Sequence, residues 1–222
     1  MRHPDVLNHA NHRNPHNSCN PRKSLRRRAP ASCQLAEDTG RPKETMNILL
    51  LTGSPRRHGN SNTLADFFAK GASEAGHTVN RFDAAFRNVH PCTACNSCGM
   101  DGPCVFADDF AFVREHILKA DAVAFASPMY YFGLSSQLKA VIDRFYAISS
   151  RLHTPKKAVL MLTYADNSRR EEAPILTHYE VLLDYLGWTD AGRIVAPGMW
   201  PAGAIKHSSY PQKAWELGKS LG

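Results

Sequence analysis

Nowhere in the sequence do apolar residues run on for the ~18 positions that a membrane-spanning helix needs, so no bilayer span is expected. The N-terminus also lacks the apolar centre of a secretory signal, which points to a cytoplasmic protein. A spread-out disulfide frame is missing too. Four of the six cysteines crowd into Cys92–Cys104, and without a secretory context that crowding reads as metal binding or redox chemistry. Charge imbalance is confined to one end. The net charge is +7, but residues 1–45 hold nine Lys/Arg against four Asp/Glu, and residues 46–222 hold eighteen against sixteen. No nucleic-acid recognition motif accompanies the basic end, so a nucleic-acid partner is not expected, and the near-balance of the remainder suits a small-molecule enzyme.

Residues 1–45 show no apolar period and are rich in Asn, His, Arg and Pro. They are expected to form a disordered basic tail. Within it Arg26-Arg27-Arg28 and His3, His9, His12 and His16 read as solvated, and Cys19 and Cys33 as inert. Residues 46–222 make one domain, in which short apolar runs alternate with amphipathic segments. Strands are expected over Asn47–Thr52, Thr78–Phe82, Asp121–Ser127, Lys157–Thr163 and Asp190–Val195. Helices are expected over Ser61–Ala75, Asp109–Lys119, Ser135–Ile148, Glu172–Gly187 and Gln212–Leu221, with Asp108 or Asp109 near an N-cap. Such alternation predicts an α/β fold, a doubly wound parallel sheet with helices on both faces. In the flavodoxin-like order 2-1-3-4-5, ligands bind beyond the C-terminal strand ends, between strands 1 and 3.

The loops after those two strands are the most distinctive in the chain. Ile48–Thr63 reads ILLLTGSPRRHGNSNT, a buried strand, a polar loop and a helix start. That arrangement makes an anion site, because helix N-terminal N–H groups point at the ligand. Ser54, Ser61, Asn62 and Thr63 add side-chain donors, and Arg56 adds a charged fork. The loop does not end in Gly-Lys-Ser/Thr, as a triphosphate loop would, and holds only Gly53 and Gly59 where a dinucleotide fold wants three spaced glycines. A terminal phosphomonoester, such as that of FMN, fits better; a ligand-free turn is the plain alternative. Ser127–Arg144 reads SPMYYFGLSSQLKAVIDR. Pro128 stiffens its turn, Gly133 permits close backbone approach, and Tyr130, Tyr131 and Phe132 could stack on a flat ring. The same aromatics could instead fill a helix–sheet gap or a subunit interface, and Met129 taken alone suits core packing.

GSPRRHGNSNT together with ASPMYYFGLSSQLKAVIDR resembles the NADPH-dependent FMN reductase group of flavodoxin-like proteins, over about residues 46–195. The resemblance implies FMN held by Ser54, Arg56, Asn60, Ser61, Asn62 and Thr63 and by the loop Pro128–Gly133, which includes Met129, Tyr130, Tyr131 and Phe132. It also implies NAD(P)H as electron donor, with quinones, dyes, metals or free flavin as acceptors. Relatives often carry glycines after the fourth strand, whereas this chain has Thr163-Tyr164-Ala165-Asp166.

Cys92, Cys95, Cys98 and Cys104 follow the spacing C-x2-C-x2-C-x5-C. Three thiolates at successive x2 spacings can wrap one short loop around a [4Fe–4S] cubane, with the fourth closing it. A single zinc more often takes two separated pairs, and free reduced thiols are the third reading. The spacing resembles the compact motif of iron-sulfur flavoproteins, a branch of the same fold in which cluster and FMN exchange electrons. The expected function is thus an FMN-dependent NAD(P)H oxidoreductase; a non-catalytic electron carrier for ferredoxin is the alternative. No catalytic side chain is nominated, because the flavin itself supplies the redox chemistry. Asp143-Arg144 reads as a cap or an ion pair, and exposed aromatics at Tyr130–Phe132 predict a homo-oligomer, dimer or tetramer.

Overall fold

The apolar run Ile48–Leu51 becomes the middle of a parallel sheet, with all four side chains shut off from solvent. The computed structural model describes residues 45–222, and the expected basic tail lies outside the described residues but for Thr45. Its strands are β1 (Asn47–Thr52), β2 (Thr78–Asp83), β3 (Ala122–Tyr130), β4 (Gly133–Leu134), β5 (Lys157–Thr163) and β6 (Thr189–Ala196). The sheet order is β2-β1-β3-β5-β6, with the two-residue β4 paired antiparallel to the end of β3. Apart from β4, this is the expected five-stranded flavodoxin-like order.

The core lies in two layers because alternate residues of a strand face opposite ways. Ile48 and Leu50 join Ala122, Ala124, Val159 and Met161 beneath α1 (Asn60–Glu74) and α6 (Tyr210–Ser220). Leu49 and Leu51 join Val123, Phe125, Leu160 and Leu162 beneath α2 (Phe110–Lys119), α3 (Ser136–Asp143), α4 (Ser149–Leu152) and α5 (Arg169–Leu186). Both faces being covered, the inner strands read as unbroken apolar runs. Each fully buried aliphatic side chain contributes about 1.5–3 kcal/mol. Among the described residues no helix is long and apolar enough to cross a membrane.

Three boundaries differ from expectation by three residues or more, each for a local reason. β3 runs past Ser127 to Tyr130. Its pairing with β1 stops at Ala126, so the missing N–H of Pro128 leaves no gap on that side, while Pro128 lies opposite Thr163 of β5. The long helix expected over Ser135–Ile148 stops at Asp143 and tightens into a 3-10 turn over Arg144–Ile148, the point at which the Arg144 side chain turns inward. α5 starts at Arg169, not Glu172, which places Glu171 and Glu172 in its first turn, where the helix dipole favours them.

Candidate functional site

The loop leaving β1 is pressed onto the start of α3. A Cβ on Gly53 would stand 2.3 Å from Ser135 Oγ and 2.8 Å from Leu138 Cβ, so only glycine fits. Ser54 Oγ accepts from the Arg56 amide at 3.2 Å, and Asn62 Nδ2 donates to the carbonyls of Arg56 (2.9 Å) and Arg57 (3.4 Å). These bonds fix the loop, so the Asn62 side-chain nitrogen is used on the protein itself. Thr63 Oγ1 likewise turns back to the Gly59 carbonyl at 3.1 Å. The first helical bond of α1 is Thr63 N–H to Gly59 O at 2.9 Å, and the N–H groups of Asn60, Ser61 and Asn62 precede it. Gly59 at the N-cap has no side chain to offer them, and the first turn carries no acidic residue. Ser61 Oγ and Asn62 Oδ1 are buried with no hydrogen-bond partner among the described residues. A buried polar group left unpaired costs about 1–3 kcal/mol, so a ligand that pairs with Ser61 recovers that cost.

This helix end opens on a cleft of about 310 Å³ at the C-terminal edge of the sheet. Of the residues named from sequence, Ser54, Arg56, Asn60, Ser61, Pro128, Met129 and Tyr130 line it together. Asn62, Thr63, Tyr131, Phe132 and Gly133 do not. Tyr131 and Phe132 have φ of 45° and 61° and form the two-residue turn between Tyr130 and Gly133, the geometry of a type I′ hairpin. Tyr131 is fully exposed at the tip. Two bulky residues in the left-handed region store strain that Asn-Gly would avoid.

The cleft has a second wall. Thr163, Tyr164 and Ala165 at the end of β5 make part of it, in the stretch where the sequence departs from its relatives' glycines. Met199 and Trp200 after β6, which sequence reasoning missed, make the rest. The signal was present: Pro197-Gly198-Met199-Trp200 follows a strand at the same edge as the other ligand loops. Burial pushes the Tyr164 phenol well above its ordinary range, and its hydroxyl, donating to Glu172 Oε2 at 2.7 Å, keeps it there. Asn60 holds the Trp200 segment in place. Its Nδ2 donates to the carbonyls of Met199 and Pro201, both at 2.9 Å, and its Oδ1 accepts from Gly203 N (2.9 Å) and Ile205 N (3.3 Å). The Asn60 side chain is therefore a tie between α1 and residues 199–205, leaving its backbone N–H for a ligand. Asn60→Ala is expected to cost roughly 1–3 kcal/mol, since it strands several part-buried backbone groups. Chemical denaturation would measure this; a loss below a few tenths would mean that water replaces the tie.

The four cysteines are free thiols on a separate loop between β2 and α2. All four line one small cavity with Phe106, Arg144, Tyr146 and Ala147. Among the described residues it shares no lining residue with the cleft. α3 links the two places: Ser135 caps its start beside Gly53, and Arg144 follows its end at the cysteines. Eight helical residues separate them by about 12 Å. Ala94 and Asn96, either side of Cys95, have φ of 54° and 58°, and Met100 has 66°. The backbone amide and hydroxyl of Ser97 hold the Cys95 thiol below its ordinary value. Among the described residues no three His, Cys, Asp or Glu side chains converge closely enough to hold a metal ion. The cavity is about 10 Å³, so the loop has to spread to take more than a water. As donors, four free thiols around one apolar cavity still suit a cubane, which asks each thiolate to meet a different iron.

Residues 46–199 match the family of NADPH-dependent FMN reductases. The chain belongs to that family. The chain is 32% identical over 177 residues to an iron-sulfur flavoprotein of Archaeoglobus fulgidus, covering 79% of each sequence. It is 32% identical over 99 residues to an iron-sulfur flavoprotein of Methanocaldococcus jannaschii, covering 45% of this chain and 51% of that one. In fold it is similar to an NAD(P)H:quinone oxidoreductase from Methanothermobacter marburgensis. The TM-score is 0.64 at 21% identity, over 81% of this chain and all of that one. The family match starts at Met46 and ends at Met199, so it includes every residue that lines the cleft except Trp200.

Proposed function

We propose that this FMN reductase family member is an FMN-dependent NAD(P)H oxidoreductase whose flavin lies in the cleft between the β1 loop and Trp200. The observation that carries the reading is the start of α1, where Asn60 and Ser61 line the cleft with their N–H groups ahead of the first helical bond and the Ser61 hydroxyl buried without a partner among the described residues. A terminal phosphate, with several oxygens to bond and negative charge for the helix end, matches that set. The exposed Arg56 side chain at the rim supplies a charge-assisted bond to the same group. Pro128, Met129 and Tyr130 form one wall for a flat ring, and Tyr164, Ala165 and Met199 the other. Trp200, 78% exposed, lines the cleft and offers an incoming acceptor a ring to stack on. The flavin, when bound, supplies the electron-transfer chemistry. The protein supplies orientation, a phosphate anchor and a partly dry cleft.

The cysteine loop favours a second reading, an electron carrier that serves a protein partner such as ferredoxin. Cys92 and Cys95 are exposed, and Met100 and Val105 on the same loop present apolar surface for docking. In both readings Cys92, Cys95, Cys98 and Cys104 are the residues that would hold a [4Fe–4S] cluster, and electron relay is the chemistry it would supply. The exposed Tyr131 and Phe132 are proposed to meet a second copy of the chain.

The deciding experiment is an absorption spectrum of protein prepared without oxygen, followed by steady-state oxidation of NADH and NADPH with a quinone acceptor. Flavin bands with turnover support the oxidoreductase. Flavin bands without turnover, and reduction by ferredoxin, support the carrier. Absence of flavin after incubation with excess FMN would defeat both.

A further inference from the structure

Arg144 is the largest fully buried side chain among the described residues, with 1% of its side-chain surface exposed. A guanidinium is removed from water at high cost unless its hydrogen bonds are replaced, so its partners show what holds it there. They all lie at the two ends of the cysteine loop. Nη1 donates to the His90 carbonyl and to Asp108 Oδ2, both at 2.8 Å. Nη2 donates to Asp108 Oδ1 at 3.2 Å and to the Phe106 carbonyl at 3.4 Å. Asp108 in turn accepts from the amides of His90 (2.8 Å) and Phe110 (3.1 Å). His90 stacks on Phe106 with centroids 3.8 Å apart, and the guanidinium lies over Phe106 and Phe110. Just outside, Asn88 and Asp109 exchange two bonds, Asn88 N to Asp109 Oδ2 at 2.8 Å and Asp109 N to Asn88 O at 2.9 Å. His90, just before Pro91-Cys92, and Phe106, just after Cys104-Val105, are thus tied to a single side chain from another element. The same Arg144 lines the cavity shared by the four thiols, and its Nε–H is buried with no partner among the described residues.

We propose that Arg144 is a positioning residue for the cysteine loop, closing its neck and setting a fixed positive charge beside the four thiols. The neck concerns the bare thiols; the charge rests on the reading of those thiols as holders of an iron–sulfur cluster. Asp108 balances the charge of Arg144, but the guanidinium is the member of the pair that lines the cavity. The nearer positive end favours whichever state of the bound group carries more negative charge, and so favours its reduction. Lysine keeps the charge but not the fork that grips Asp108 and the carbonyls together, and glutamine keeps neither. The two substitutions therefore separate the neck from the charge.

The test uses the full chain as wild type, Arg144→Lys and Arg144→Gln. In iron-free protein, alkylation by iodoacetamide is followed at each cysteine by mass spectrometry. Cys98 and Cys104, half-buried in the wild type, are expected to label about tenfold faster in both variants, because the neck opens locally. FMN content, read at the distant cleft, is expected to stay at the wild-type level, which a general loss of structure would not allow. After anaerobic reconstitution with iron and sulfide, the midpoint potential is expected to fall in Arg144→Gln and to stay near the wild-type value in Arg144→Lys. Wild-type labelling rates in Arg144→Lys overturn the neck, and they do so even if Arg144→Gln does not fold. A potential unchanged in Arg144→Gln overturns the charge. Wild-type protein that takes up no iron defeats the cluster reading and the charge with it, and the labelling rates then decide the neck alone.

Discussion

Asp108→Ala is expected to lower the free energy of unfolding by about 3–5 kcal/mol, because it leaves Arg144 buried with its charge uncompensated. Asp108 is 6% exposed at the side chain and carries four of the bonds that hold the neck of the cysteine loop. For a domain of this size each kcal/mol moves the melting midpoint by about 2–4 °C, so a drop on the order of 10 °C should be seen. The same pair has a signature in acid. Burial alone would push the Asp108 carboxyl up, but the Arg144 guanidinium and the His90 and Phe110 amides hold it below its ordinary value of 3.8. A carboxyl depressed by folding contributes stability that is fully present above 3.8 and is lost as pH falls through the lower, folded value. The wild type should therefore lose this increment below pH 3.8, while Asp108→Ala has none to lose. The two curves of stability against pH should converge in acid. A loss under 1 kcal/mol at neutral pH, or curves that stay parallel, would mean that water already reaches Arg144.

That pair also marks the limit of what was legible in the sequence. Asp108 could be read as a helix cap and Arg144 as one member of an ion pair, but nothing local joins two residues 36 positions apart. The strands were legible because a parallel strand covered on both faces keeps an unbroken apolar run, and Ile48–Leu51 and Ala158–Leu162 do so. The ligand edge was legible too, since Gly53–Asn62 follows β1 and Pro128–Tyr130 ends β3, the two strands at which the sheet order reverses. The inner detail was not. Asn60 sits in a motif that suggests a phosphate contact, yet all its side-chain bonds go to residues 199–205, about 140 positions away. The turn at Tyr131-Phe132 was hidden for a different reason. Type I′ turns are flagged by Asn-Gly or Asp-Gly, and two aromatics in that conformation run against local propensity. Local chemistry therefore located the cleft, whereas long-range pairing decided which side chains turn into it.

The double substitution Arg56→Ala with Ser61→Ala is expected to weaken FMN binding by about 2–4 kcal/mol, roughly 30- to 1,000-fold in Kd. The change removes a charged fork at the rim of the cleft and a buried, unpartnered hydroxyl in the first turn of α1. Ser61 alone gives a sharper test, because its two expected effects have opposite signs. In the flavin-free protein its hydroxyl is buried without a partner, so Ser61→Ala removes an unpaired polar group and should leave the fold equally stable or more stable. With FMN present the same change would remove the proposed bond to the phosphate, so the ligand-dependent rise in melting temperature should shrink. A residue that mattered only for folding would shift both states in the same direction. Riboflavin supplies the control, since it has the ring but no phosphate. Its affinity should be far below that of FMN in the wild type and should change little with either substitution. Fluorescence titrations of both flavins, with thermal melts of each variant with and without FMN, test the assignment. Equal affinity for FMN and riboflavin in the wild type would remove the phosphate from the start of α1, and with it the orientation proposed for the ring between Tyr130 and Tyr164.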